Sequence, residues 1–304
     1  MNSANWDEEK RQIEVLCDVP GMTAGRLLRI REFDTAPVYF IHGKEVANRQ
    51  FDMASPSWRY RSGATAFRIA TVSGHYAPVT SHQNNEIIVP AVADLIDPDT
   101  TAIVELGCAY GRHLFALRDV LEHRFPDLKY FGAELFEGAI AVGRRIATLE
   151  PDRAPVTFHT FDYRKPRLDF LPRCKKIMFF TCHSIEQVQQ IDLDLFDVMI
   201  NAAPVVRCVH SEPVGWQLKP GVQADLASGD FRVNAEAHMA FNLYGLVDDY
   251  RSAISPIHNG WNQNLMEQLL FLAKSGVINL ERIVVNCAGN DTYNPSTMIE
   301  WSKR

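Results

Sequence analysis

The residues able to do chemistry fall into two groups. The first is centred on Glu105-Leu106-Gly107-Cys108-Ala109-Tyr110-Gly111, where a short apolar run ends in a turn of small residues. Glycine admits positive φ and lets a ligand approach the backbone closely. The turn lacks the G-x-G-x-x-G spacing that cradles a pyrophosphate, and Glu105, two positions before Gly107, would repel phosphate. It suits a ligand with a cationic or hydroxylated edge instead. Two further acids, Glu134 before Leu135 and Asp162 before Tyr163, end later apolar runs. The second group is Thr181-Cys182-His183-Ser184-Ile185-Glu186-Gln187 together with His210-Ser211-Glu212-Pro213. Histidine titrates near neutrality and serves as a general base. The same four His and Glu side chains are usable metal ligands. Ser184 with Glu186 and Gln187 also reads as a capping box that opens a helix.

These residues need a frame to hold them. From about residue 86, apolar runs of four or five residues alternate with helical-period segments, the pattern of a parallel sheet covered by helices. The predicted strands are Ala102–Leu106, Tyr130–Ala133, Val156–Phe161, Ile177–Phe180, Val205–Val209 and Arg282–Cys287, with Met298–Trp301 returning as a closing hairpin. Ile87–Leu95 reads as the helix entering the first strand. Leu114, Leu117 and Leu121 line one helical face after it, and Ala139, Val142, Ile146 and Leu149 line the next. Further helices are predicted over Gln187–Ile200 and Asn262–Ala273, the latter with Leu265, Leu269 and Leu272 on one face. The expected fold is α/β: a doubly wound, mostly parallel sheet of about seven strands with a helical N-terminal cap extension over residues 1–85. Residues 86–304 form its main domain. Residues 216–261 interrupt the rhythm after the fifth strand, where insertions in open α/β sheets lie on the ligand side. Tyr60-Arg61-Ser62-Gly63, Gly74-His75-Tyr76 and His82 are candidates for a lid, although any packed accessory segment needs such residues. Asn259–Asn262 and Tyr293–Ser296 read as turn and helix-start chemistry.

With those strands in place, Glu105-x-Gly107-x-Ala109-x-Gly111 resembles the first motif, [D/E]-x-G-x-G-x-G, of the class I (Rossmann-like) S-adenosylmethionine-dependent methyltransferases, with Ala109 at the middle glycine. Glu134, 23 residues after Gly111, is similar to the family's carboxylate that accepts from both ribose hydroxyls, since two acceptor oxygens fit a vicinal diol. Asp162 resembles the acid beside the adenine. The resemblance spans roughly Ile87 to Arg304 and implies S-adenosylmethionine as cofactor, held by Glu105, Gly107, Cys108, Ala109, Gly111, Glu134, Leu135, Asp162, Tyr163 and Thr181. It also implies methyl transfer to a hydroxyl, or else an amine or carboxylate, of a small polar metabolite. The C-terminal part loosely resembles bacterial methyltransferases of sugars or natural products. Near the expected methyl group, His183 or His210 would be the general base, and Glu186 or Glu212 would orient it or bind substrate. Some sugar and catechol O-methyltransferases use a divalent ion in an oxygen-rich site. The His/Glu set departs from that pattern, so no metal site is assigned. Two rival readings are a nicotinamide-dependent oxidoreductase, against which the missing G-x-G-x-x-G counts, and a non-catalytic binding or regulatory protein of the same fold.

Composition narrows the partners. The 304 residues are 46% hydrophobic and 22% charged, with net charge −6, so a core is affordable and phosphate polyanions are repelled. The basic stretch Arg164-Lys165, Arg167, Arg173, Lys175-Lys176 is short and broken by prolines, so no nucleic-acid partner is expected. No stretch approaches the roughly 20 apolar residues of a membrane span. The polar start, Asn5 to Arg11, does not suit a signal peptide. Six scattered cysteines without a C-x-x-C pair suit reduced thiols in a cytoplasmic setting. A homodimer is an expectation drawn from the cap extension.

Overall fold

The computed structural model describes residues 3–28, 30, 38–41, 44–47, 68–73, 75–79, 83–234, 249–289 and 295–304. Its strands in chain order are β1 (Val38–Ile41), β2 (Lys44–Ala47), β3 (Arg68–Val72), β4 (His75–Val79), β5 (Ala102–Leu106), β6 (Lys129–Glu134), β7 (Val156–Thr160), β8 (Lys176–Cys182), β9 (Val205–Glu212), β10 (Ile278–Gly289) and β11 (Pro295–Lys303). The chain divides into two compact units, Met1–Phe67 with Thr80–Asp162 and Arg68–Val79 with Tyr163–Arg304. Segment 1–85 contributes to both. The lid candidates Tyr60–Gly63, Gly74 and His82 lie outside the described residues, as do Tyr293 and Asn294.

In the first unit β5, β6 and β7 run parallel, with Ala102 opposite Lys129 and Tyr130 opposite Val156. Helices Arg112–Leu121 and Glu137–Ala147 make the two crossovers. Every residue of β5 is buried, as a strand covered on both faces must be. The stripes expected from periodicity are the buried ones: Leu114, Leu117 and Leu121 on one helix, Ala139, Val142 and Ile146 on the other. Leu149 falls beyond the second helix. At the centre sits the ring of Phe158 from β7. A Cβ atom on Gly111, Gly132 or Gly143 would stand 2.7, 2.8 or 2.5 Å from that ring. One phenyl group fills the space of three side chains, and this brings two strands, the start of one helix and the middle of the next close together. The N-terminal helix Ser3–Cys17 packs on Glu137–Ala147, while β1 and β2 form a separate antiparallel hairpin.

In the second unit β8 and β9 are parallel and connected through helix Leu193–Asn201. β11 runs antiparallel between β9 and β10, so the closing hairpin forms with a longer strand than Met298–Trp301. The β3–β4 hairpin joins β10 through the pair Ala288 and Val72. The fold is Rossmann-like α/β. The described residues hold eleven strands rather than about seven, because the N-terminal segment supplies two hairpins whose short apolar runs carry no helical period.

One predicted helix is corrected. Residues 187–200 do not form a continuous helix: a 3-10 turn spans Ile185–Gln187 and the α-helix begins only at Leu193. Beyond the local bond from Val188 N–H to Ile185 O, this stretch of backbone is held by a remote segment. Asn262 N–H donates to Glu186 O at 2.7 Å, Asn262 Nδ2 to Val188 O at 2.9 Å and Asn264 Nδ2 to Ile191 O at 2.8 Å, while Ile191 N–H donates to Asn264 Oδ1 at 3.0 Å. Asn262 Oδ1 also accepts from Leu265 N–H at 2.8 Å, opening helix Leu265–Lys274 as its sequence suggested. In the 216–261 insertion, helices Pro220–Ser228 and Asp249–His258 gather around buried Trp216, Val222 and Ala253. Residues 235–248 of the insertion lie outside the described set. Among the described residues no helix is long and apolar enough to cross a membrane, and no cysteine is in a disulfide.

Candidate cofactor loop and strand-end network

The turn after β5 is built as its glycines require. Gly107 and Gly111 have φ of +71° and +81°, and between them Ala109 takes +48°. An L-residue in that region costs roughly 1–2 kcal/mol, so something must hold Ala109 there. The holder is Glu134 at the end of β6. Its Oε2 accepts from Ala109 N–H at 2.8 Å, and its Oε1 accepts from Leu135 and Phe136 N–H at 2.8 and 3.0 Å. The carboxylate thus ties the β5 turn to the β6 turn. With about two lone pairs per oxygen, Oε2 keeps acceptor capacity beyond Ala109, whereas Oε1 has engaged both of its sites.

Glu105 is 1% exposed. Its Oε1 lies 2.6 Å from His113 Nδ1, and its Oε2 is buried with no hydrogen-bond partner among the described residues. Arg112 Nε donates to His113 Nε2 at 3.3 Å, which leaves Nδ1 to carry the proton that His113 donates to Glu105. Burial raises the Glu105 carboxyl well above its ordinary range. Sequence reasoning passed over His113, whose only signal was its place on the first turn of the helix that follows the loop. Cys108 is buried, its thiol pushed up by that burial, and its Sγ is where a Cβ on Gly132 would fall. Leu135 is exposed and Asp162 half-buried.

The remaining candidates belong to the second unit, where they form one network. Trp301 Nε1 donates to His210 Nε2 at 2.9 Å, so neutral His210 carries its proton on Nδ1, which faces Thr181 Oγ1 at 2.9 Å. Thr181 in turn bonds the Glu212 carboxylate. Burial lowers the His210 pKa to about 3, and its residue exposure is 0%. His210 is therefore a sealed core histidine with both nitrogens engaged, which corrects its candidacy as a base open to substrate. Thr181 is equally sealed.

Glu212 accepts from Ser184, Ile185 and Glu186 N–H at 3.1 to 3.3 Å. Burial first, then the like charge of Glu186, pushes its pKa up to about 7. The expected capping box is replaced by this carboxylate from the neighbouring strand. Ser184 Oγ turns instead to Tyr163 OH at 2.8 Å. His183 sits at φ +50° on the resulting loop, with Nδ1 3.0 Å from Glu186 Oε2 and Nε2 2.6 Å from Ser296 Oγ. The Glu186 carboxylate accepts from Nδ1–H, so in the neutral ring Nε2 is the acceptor. The His183 side chain is 18% exposed, unlike that of His210. Ser296 had no signal in sequence beyond a turn. Among the described residues no group of three or more His, Cys, Asp or Glu side chains is placed to hold a metal ion.

No model of a protein family matches the chain, and no curated protein matches it. Solved structures similar to it include magnesium protoporphyrin IX methyltransferase (ChlM) from Synechocystis PCC 6803 with bound SAH, at 11% identity over 73% of this chain and 83% of that one, TM-score 0.44. A SAM-dependent methyltransferase from Aquifex aeolicus is similar at 9% identity over 73% and 93%, TM-score 0.42. Geranyl diphosphate methyltransferase in complex with GPP and sinefungin is similar at 11% identity over 74% and 78%, TM-score 0.45.

Proposed function

We propose that the chain is an S-adenosylmethionine-dependent methyltransferase acting on a hydroxyl of a small polar metabolite. The observation that carries this reading is the pair of acidic strand ends in the first unit. Glu134 joins the two turns through Ala109 N–H and retains acceptor capacity at Oε2, and Glu105 presents a buried oxygen with no partner among the described residues. An orphaned buried acceptor calls for a donor or a cation, and the cofactor's ribose hydroxyls and ammonium supply both. Gly107, Ala109 and Gly111 would line it with backbone, and Asp162 would receive the adenine amine. When bound, the cofactor supplies a methyl group on a sulfonium leaving group.

The protein's remaining task is to orient the acceptor and take its proton. We assign that role to His183. Glu186 fixes its tautomer, Glu212 holds the loop that carries it, and Nε2 is the basic nitrogen, now shared with the Ser296 hydroxyl. An acceptor hydroxyl taking the place of Ser296 at Nε2 exchanges like for like.

Calorimetry with S-adenosylmethionine, its demethylated product SAH and NAD tests the cofactor. Binding of both sulfur compounds and not NAD is expected, and loss of SAH binding in Gly107→Val. Failure to bind either one sinks the reading. A turnover screen that detects SAH across hydroxyl, amine and carboxylate acceptors separates an enzyme from a binding protein. On the acceptor so found, His183→Ala should lower kcat about 10²-fold or more and leave SAH affinity near wild type. Full activity in that variant refutes the assignment. Activity is expected to survive EDTA.

A further inference from the structure

The N-terminal helix Ser3–Cys17 carries one large aromatic residue, Trp6, which is 4% exposed. Two contacts define its seat. Its ring meets Tyr110 edge to face, with centroids 6.3 Å apart and planes at 82°. Its Cβ lies where a side chain on Gly138 would begin, 2.7 Å from a Cβ built there. Tyr110, 1% exposed, belongs to the Glu105–Gly111 turn, and Gly138 opens the helix that follows Glu134. Trp6 therefore touches the 107–111 turn and the first turn of the helix Glu137–Ala147, which begins one residue after the backbone that Glu134 holds at Leu135 and Phe136. The indole Nε1 is buried with no hydrogen-bond partner among the described residues. That burial forgoes a bond, and the ring stays there for its packing against Tyr110 and Gly138.

We propose that Trp6 is a positioning residue of the cofactor site, clamping the 107–111 turn against the start of helix Glu137–Ala147 so that the loop is held ready for ligand. This rests on the assignment of that loop to S-adenosylmethionine. Trp6 offers the ligand no hydrogen bond, because its indole N–H is buried. It acts on the population of the competent loop, and apparent affinity falls in proportion to that population.

Gly138 provides the sharpest test, because two explanations predict opposite signs. Alanine in the first turn of a helix favours the helix over glycine by roughly 0.5–1 kcal/mol, so a purely local effect of Gly138→Ala stabilises the protein and leaves binding unchanged. If Gly138 is there to admit Trp6, the added methyl meets Trp6 Cβ, pushes the helix that carries it outward with the indole, and SAH binds more weakly. In the 304-residue protein, SAH titrations should give an affinity about 10-fold lower for both Trp6→Ala and Gly138→Ala, as when the competent state falls to about one tenth. Reciprocally, SAH should slow proteolysis within residues 3–17 of the wild type and lose that effect in Gly138→Ala. Wild-type affinity in both variants, or no protection by SAH, overturns the proposal while leaving the cofactor assignment intact. Absence of SAH binding in the wild type overturns both.

Discussion

Glu134→Ala should destabilise the protein even with no ligand present. Its carboxylate is 7% exposed and accepts three backbone N–H groups, from Ala109, Leu135 and Phe136. Each donor left without a partner costs about 1–3 kcal/mol, reduced where water enters the vacated space. Release of Ala109 from its left-handed conformation returns roughly 1 kcal/mol. The balance is a loss of about 3 kcal/mol. Glu134→Gln keeps one acceptor oxygen. Its better orientation leaves that oxygen on Leu135 and Phe136 and turns the amide towards Ala109 N–H, for a loss of about 1–2 kcal/mol. Urea unfolding of the ligand-free proteins measures both changes, and SAH calorimetry on the same samples measures binding. If Glu134→Ala unfolds within about 0.5 kcal/mol of wild type, the carboxylate does not brace the loop. A role confined to the cofactor would then be the correct account.

Other outcomes follow from the same geometry. Gly143→Ala improves helix propensity yet puts a methyl 2.5 Å from Phe158, so a net loss of about 1–3 kcal/mol is expected; Phe158→Leu should recover part of it in a double-mutant cycle. His210, with a folded pKa near 3 against the usual 6.5, binds its proton more tightly when unfolded. The His210 contribution to stability should therefore rise with pH between about 3 and 6.5, opposed above about 4.5 by the raised carboxyls of Glu212 and Glu105, and unfolding curves across the range should show a smaller rise, or a steeper fall, in His210→Gln than in wild type. Asn262→Ala removes bonds to Val188 O and Leu265 N–H at a residue 1% exposed, and should cost about 2–3 kcal/mol by urea unfolding. Retention of wild-type stability would show that 187–192 holds its path by other means.

How much was legible in sequence differs by residue. β5, β6 and the helices after them could be read because each buries a periodic stripe against its immediate neighbours, and the glycines of the turn between β5 and its helix announce its φ values. The break at 188–192 was not legible, since its bonding partners lie some 70 residues away at Asn262 and Asn264. The two N-terminal hairpins were hidden by strands too short to show alternation. Gly132, Gly138 and Gly143 looked like ordinary small residues until Phe158 and Trp6 were seen lying against them.

The amino-acid sequence alone determined which residues have the chemistry: an acid before a glycine turn, a second acid at the next strand end, and two histidines with glutamates close behind. Local backbone physics writes these features within a few residues of one another. Tertiary structure decided how they are used. It closed His210 between Trp301 and Thr181, left the His183 ring partly open, and made Glu134 a brace between two turns. Exposure and hydrogen-bond partners across strands depend on which remote segment arrives alongside, and no local pattern encodes that.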